Sequence, residues 1–410
     1  MKILLVNKFY YPRDGVSNYV LELEKKLKEA GHEVHIFAMA DPQNTPCPDQ
    51  KYFVSNLSLH PKNLKDAARA AGRIFYSREA KRKFAALIKD HRPDIIHIHN
   101  IYHQISPSIL TVAKALRIPV VMHLHDYKLI CPNYKLFVKE KICRRCRGGK
   151  YYNCLLNNCL HDSRLESLGG TLEMYFQHAI WPIYKTGVNL FIAPSRAMEK
   201  TVIDFGWPKE KIKFLCNFFP GRISGGNSPA AAEGNYLLYF GRLAVEKGIA
   251  TAIEALTLNR EYLKIAGTGP EEKNLRALTE KLKLEKRVEF LGFKTGQELE
   301  DLIAGAKAII IPSIWLENMS LSLLEALAQG QAVIAANIGG LPEIIKDGQN
   351  GWLFLPGDSR DLNEKIKRLT ELSRDEKISI KTAARESVKD FNSDEHLREI
   401  LKIYQAVINE

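Results

Sequence analysis

Short apolar runs alternate with amphipathic stretches along both halves of the chain. In the first half, positions 3–6, 35–38, 95–99, 120–124 and 190–193 are β-rich and read as buried strands. Between them, Val16, Tyr19, Val20, Leu23, Leu27 and Ala30 recur at helical spacing, so a helix is predicted over 16–30. The rhythm stops at 219–234, where Pro220, Gly221, Gly225, Gly226, Asn227, Ser228 and Pro229 give linker composition. It restarts with strand-like runs at 236–240, 263–266, 288–291, 308–312, 332–336 and 351–355, and everything from Asp361 onward reads as helix. Alternation of this kind implies parallel sheets covered by helices. The expected class is α/β, with two doubly wound Rossmann-like domains over 1–218 and 235–390. A C-terminal helix over 391–410 is expected to pack back on the first domain. The two sheets should face a central cleft at their carboxyl ends, where ligands of such folds bind.

Size agrees with this division, because 410 residues exceed what one hydrophobic core organises. A composition of 45% hydrophobic and 26% charged residues excludes disordered and fibrous classes. The apolar runs are too short to span a bilayer, and the first residues enter a strand with no signal-peptide pattern, so a cytoplasmic protein is expected. The net charge of +12 is uneven. Residues 62–92 hold ten Lys or Arg against three acids, with Phe75, Tyr76 and Phe84 interleaved. That stretch is read either as a solvated helical face or as a peripheral contact with an anionic membrane surface or acceptor. No nucleic-acid reading module accompanies it, so nucleic acid is not an expected partner.

The chemistry concentrates after two strands of the second half. Arg242 and Lys247 lie on a strand-to-helix loop, where guanidinium and ammonium groups neutralise a diphosphate. The strand at 308–312 leads through Glu317 to a helix start around Met319–Leu321, an anion site by virtue of its unsatisfied N–H groups. Glu325 sits among Leu323, Leu324, Ala326 and Leu327, an apolar setting that a hydroxyl-rich ligand such as ribose explains. In order, Gly241-Arg242-Leu243, Lys247-Gly248, Gly267-Thr268-Gly269-Pro270, Gly292-Phe293, Glu317 with Glu325, Gly339-Gly340-Leu341-Pro342-Glu343 and Asp347-Gly348-Gln349-Asn350-Gly351 resemble glycosyltransferase family four of the GT-B fold.

The resemblance implies a retaining, nucleotide-sugar-dependent transferase of hexosyltransferase type that needs no metal for catalysis. Arg242 and Lys247 would hold the donor diphosphate, Glu325 the ribose hydroxyls and Glu317 the sugar. Asn318, Met319, Ser320 and Leu321 would contact phosphate, and loops carrying Gly267, Gly269 and Phe293 would flank the base. Many members have Pro-Phe or Gly-Phe where this chain has Asn318-Met319, which leaves the sugar open. Gly15, before the first helix, takes the place of a glycine that contacts the donor, and Ser17 is a candidate helix cap. His125-Asp126 resembles the family's His-Asp pair, whose histidine contacts the donor sugar. The implied catalytic set is therefore His125, Arg242, Lys247 and Glu317. His97, His99 and Asn100 are candidates to line the acceptor pocket.

Five of the seven cysteines, Cys131, Cys143, Cys146, Cys154 and Cys159, fall in an insert over about 131–161. Cys143 and Cys146 have zinc-knuckle spacing, and four of the five, with His161 as a further candidate, are expected to hold a structural zinc. An iron–sulfur cluster is the alternative; Cys47 and Cys216 read as unligated. The expected function is sugar transfer from a nucleoside-diphosphate sugar to a polysaccharide, lipid-linked or other cell-surface glycan acceptor. A nucleotide-sugar epimerase and a non-catalytic nucleotide-sugar-binding module are the alternatives.

Overall fold

The apolar runs of the first half become a six-stranded sheet. The computed structural model describes residues 1–56, 72–219 and 234–410. In chain order the strands are β1 (Lys2–Val6), β2 (Glu33–Phe37), β3 (Ile95–Ile98), β4 (Val120–His123), the short antiparallel pair β5 (Phe137–Val138) and β6 (Lys141–Ile142), β7 (Leu190–Ala193) and β8 (Ile212–Phe214). The second half adds β9 (Tyr236–Phe240), β10 (Tyr262–Ala266), β11 (Val288–Gly292), β12 (Ala308–Ile311), β13 (Val333–Ala336) and β14 (Gly351–Phe354). Contacts divide the chain into two compact units, one of Met1–Lys135, Arg144–Pro220 and Ser393–Glu410, the other of Leu136–Cys143 and Gly221–Asn392.

In the first unit the sheet order is β2-β1-β3-β4-β7-β8, and every pairing is parallel. The helix Gly15–Glu29 buries Tyr19, Val20, Leu23 and Leu27 against this sheet's core. Its cap is Asp14, whose carboxylate accepts from the backbone N–H and the hydroxyl of Ser17, both at 2.9 Å. The candidate cap Ser17 is thus the donor in that turn. Along the C-terminal helix Ser393–Asn409, His396, Ile400, Ile403, Tyr404 and Val407 are buried in the same core, at the spacing of one helical stripe.

The second unit has the order β11-β10-β9-β12-β13-β14, again wholly parallel. Counted from its own first strand, this is the 3-2-1-4-5-6 arrangement, in which the order of strand addition reverses between β9 and β12. Loops after those two strands diverge and leave a crevice at their carboxyl ends. In the first unit the corresponding reversal falls between β1 and β3.

Of the basic stretch, Lys62, Lys65 and Arg69 lie outside the described residues. Arg73 is buried, bonded to the Ser55 carbonyl at 2.8 Å and paired with Glu79 at 2.6 Å. Phe84 is fully buried and packs edge-on against Phe37, so it is part of the core. Arg78, Lys81, Arg82, Lys89 and Arg92 are exposed. Among the described residues no helix is long and apolar enough to cross a membrane.

Candidate functional site

At the reversal point of the second unit, the loops after β9 and β12 are stitched together. The Ile314 N–H donates to the Glu246 carbonyl at 3.0 Å, and the Ser322 hydroxyl donates to the Phe240 carbonyl at 3.3 Å. Two glycines permit the approach. Gly248 has φ +63°, and a Cβ there would lie 2.1 Å from the Pro312 carbonyl oxygen; Gly339 has φ +60°, and its Cβ would lie 2.3 Å from that of Glu317. The Gly340 N–H closes the arrangement by donating to the same Glu317 carbonyl at 2.8 Å.

This scaffold sets the charged side chains. Glu317 is 4% exposed, and its Oε1 accepts from Lys247 Nζ at 2.7 Å and from Ser313 Oγ at 2.6 Å. Burial alone pushes its carboxyl up, but the Lys247 charge and these hydrogen bonds outweigh that and hold it below the ordinary range, so it is ionised at neutral pH. Lys247 also lies 5.4 Å from the centre of the Trp315 ring. Arg242 pairs with the buried Glu246 while keeping much of its guanidinium in solvent. Glu325, in the helix Leu321–Ala328, is pushed up to about 6 by burial and by the nearby Glu300. Ser320 caps that helix, accepting from the Leu323 N–H at 3.3 Å; Asn318 is buried beside it, and Met319 and Leu321 are half-buried.

The remaining donor-side candidates share the edge. The Leu243 N–H donates to the Thr268 carbonyl at 2.9 Å and the Gly267 N–H to that of Gly292 at 2.7 Å. A Cβ on Gly269 would lie 2.1 Å from the Leu243 carbonyl oxygen. Phe293 is 73% exposed, an apolar ring open to stack on a ligand. A cavity of about 570 Å³ nearby is lined by Ala244, Gly248, Thr251, Glu254, Glu271 and Ile314, among others. Arg242, Lys247, Glu317 and Glu325 are not in its wall.

In the first unit, Gly15 is the exposed first residue of its helix, and the loop before it is tied to the end of β3 by the Lys8 N–H, which donates to the Asn100 carbonyl at 2.9 Å. His125 follows β4, and its Nε2 lies 2.9 Å from Nδ1 of His99. Burial lowers the His125 imidazole to about 3, so the ring is neutral at physiological pH. Asp126 moves the other way, raised by burial. His97 and His99 are fully buried, and His97 Nδ1 meets the Tyr404 hydroxyl at 2.7 Å. They are core residues, in contrast to the expectation that they line an open acceptor pocket, because alternate positions on β3 point both rings at the helices covering that face.

Between 131 and 162 the backbone takes left-handed φ at Tyr134, Leu136, Lys139, Glu140, Asn158, His161 and Asp162, a dense set of tight turns. Cys154 and Cys159 are brought together: a hydrogen bond from Cys159 lowers the Cys154 thiol to about 7 against the upward push of burial. The buried Cys131 thiol donates to Asn133 Oδ1 at 2.9 Å, and His161 pairs with Glu166 at 2.6 Å. Among the described residues, the groups of three or more side chains close enough to hold a metal ion include none of these cysteines. Beside this segment lies a buried network that no local sequence pattern marks. Lys128 Nζ lies 2.7 Å from Glu173 Oε2, which His103 Nε2 approaches at 3.1 Å. Burial pushes Glu173 up, yet the Lys128 and His103 charges overcome it and hold the carboxyl at about 2.

Two family profiles match the chain: Glycosyltransferase Family 4 over residues 13–220 and Glycosyl transferases group 1 over 226–387. A putative colanic acid biosynthesis glycosyltransferase, WcaL of Escherichia coli K12, is 31% identical over 49% of this chain and 53% of its own length. The Salmonella typhimurium WcaL is matched over 44% of its length, so the chain spans about half of these first relatives. An uncharacterized glycosyltransferase, MJ1607 of Methanocaldococcus jannaschii, is 25% identical over 100% of this chain and 99% of its own. Among solved structures, Anabaena HepE in complex with UDP superimposes with a TM-score of 0.68 at 21% identity, covering 99% of this chain and 100% of HepE. At that identity the likeness establishes the fold.

Proposed function

The chain belongs to glycosyltransferase family 4 and adopts the GT-B fold, and from that premise we propose that it is a glycosyltransferase that transfers a sugar from a nucleoside-diphosphate sugar, with retention at the anomeric carbon, to a polysaccharide, lipid-linked or other cell-surface glycan acceptor. The observation that carries the donor half is the buried, ionised Glu317 held by Lys247 at the reversal point of the second sheet. Lys247 and Arg242 supply positive charge where a diphosphate leaving group gains negative charge, the differential stabilisation that lowers a barrier. Glu317, acceptor-only when ionised, takes hydroxyl protons of the sugar into hydrogen bonds. Glu325 does the same for the ribose, and Phe293 offers a face to the base. His125, neutral at physiological pH, gives or takes one hydrogen bond to the sugar without bringing a charge to it. A donor phosphate oxygen takes the acceptor hydroxyl's proton as the diphosphate departs, so the chain's own groups act by positioning and electrostatics.

Relatives named for colanic acid biosynthesis and neighbours solved with UDP and with UDP-glucose support this reading. The exposed Arg78, Lys81, Arg82, Lys89 and Arg92 would meet an anionic membrane that carries a lipid-linked acceptor. A thermal-shift panel of nucleotide sugars tests the donor, since a ligand at 100 times its Kd stabilises the native state by about 2.7 kcal/mol. The cognate donor, mixed with a lipid-linked glycan acceptor, should give a product whose anomeric configuration by NMR matches the donor's. An inverted product, or no stabilisation by any nucleotide sugar, would sink the proposal.

A further inference from the structure

The face of the first sheet that carries His97 and His99 also carries His123. Parallel register places His97 beside Val121 and Ile98 beside Met122, so His99, just past β3, comes level with His123 at the end of β4. A ring nitrogen of each of the three lies within 4.8 Å of the other two. All three side chains are fully buried, and the Nε2 atoms of His97 and His99 have no hydrogen-bond partner. Their Nδ1 atoms are occupied differently: His97 by the Tyr404 hydroxyl at 2.7 Å, His99 by His125 Nε2 at 2.9 Å, and His123 facing the Tyr19 hydroxyl at 3.5 Å. Buried ring nitrogens left without a partner are costly, and their presence within one close cluster of rings points to a shared partner.

We propose that His97, His99 and His123 form a binding site for a late first-row divalent metal ion, with zinc as the test ion. Imidazole nitrogen suits zinc, copper or nickel, whereas magnesium and calcium take oxygen donors. Three protein ligands leave a fourth position, as in open zinc sites. The contacts at Nδ1 orient the rings as outer partners of metal-bound histidines do. The Asn217 side chain also hydrogen-bonds the His123 ring. An ion on Nε2 of His99 leaves the proton on its Nδ1, which then donates to His125 Nε2; the proton of the His125 ring is thereby placed on its own Nδ1. The ion would act as a structural tie between β3 and β4 and a positioning group for His125.

The test uses the full chain purified without a metal-affinity tag, stripped with a chelator and titrated with zinc chloride. Expected are about one zinc per chain, a purely nitrogen and oxygen shell by X-ray absorption, and affinity weakened roughly tenfold or more in His97→Gln and in His123→Gln. The double variant Cys143→Ser/Cys146→Ser should bind as the parent does. The chain has a second group of possible ligands, Glu33, His35 and His91, so the fallback, if the histidine variants fail to fold, is stripped His91→Gln: a rise in its Tm on adding zinc, with a nitrogen and oxygen shell, upholds the site. No zinc uptake by the stripped parent, in which case ordered water satisfies the nitrogens, overturns it. So does a sulfur shell that the cysteine variant loses.

Discussion

Oε1 of Glu317 is shared between the Lys247 ammonium at 2.7 Å and the Ser313 hydroxyl at 2.6 Å. Two residues that the motif order assigns to different parts of a donor are thus each other's partners before any donor arrives. Lys247 therefore has a structural task beside its chemical one. Lys247→Ala should abolish transfer and also destabilise the protein, toward the lower end of the roughly 3–5 kcal/mol seen when a buried pair loses one member, because Lys247 is only partly buried. Adding Glu317→Gln removes the stranded charge. Urea unfolding should place the double variant above Lys247→Ala in stability while both lack turnover; equal stabilities would show that Lys247 does not compensate Glu317.

Glu325 should set stability against nucleotide binding. Its carboxyl is raised from an ordinary 4.5 to about 6 in the fold, so its favourable contribution is complete below 4.5 and is lost as pH rises through 6. Above that, Glu325→Gln should be more stable than the parent by about 1–2 kcal/mol, with the difference vanishing in acid. The same variant should bind the cognate nucleotide more weakly. Melting curves across pH test the first part and calorimetric titration the second.

Glu173 has the opposite sign. Held at about 2 against an ordinary 4.5, it contributes stability above 4.5 that disappears as pH falls toward 2. Glu173→Gln strands the Lys128 ammonium, which is 3% exposed, and should cost about 3–5 kcal/mol at neutral pH. Parent and variant should converge in acid-unfolding curves as the pH approaches 2.

Gly339→Ala and Gly348→Ala separate strain from collision. Both positions are left-handed, with φ +60° and +76°, but a Cβ meets the Glu317 carbonyl oxygen at 2.3 Å in the first and nothing within 4 Å in the second. Each should lose the roughly 1–2 kcal/mol of a non-glycine in that region. Only Gly339→Ala should lose more, together with donor affinity. Equal drops in Tm would show that the loop absorbs the collision.

The alternating runs made most strands legible, down to the limits of 190–193 and 236–240, since a buried parallel strand is an uninterrupted apolar run. β8 escaped because it is three residues long with Lys213 at its centre, and the β5–β6 hairpin because its two-residue turn uses left-handed Lys139 and Glu140 where Gly or Asn would have signalled it. Motif order picked out Arg242, Lys247 and Glu317 on the loops after β9 and β12, and Glu325 in the helix that follows. It carried no trace of the Lys247–Glu317 bond, because 70 residues separate the pair and only the strand order joins them. The two-residue spacing of His97 and His99 implied a shared face, but His123 joins them through register, which no local pattern encodes. Tyr404 and His396, which complete the surroundings of those rings, come from the far end of the chain.

The helix Ser393–Asn409 belongs to the unit that begins at Met1, although the residues before it, from Gly221 to Asn392, belong to the other. During synthesis, the first unit therefore emerges from the ribosome with the Tyr19, His97 and Leu23 face uncovered, and stays so while the whole second unit is being made. A nascent chain halted near residue 390 would expose that apolar face to chaperones. A ribosome-stalled series extended by a flexible C-terminal linker, probed by protease, should show protection of the N-terminal residues appearing only after Tyr404 has cleared the exit tunnel.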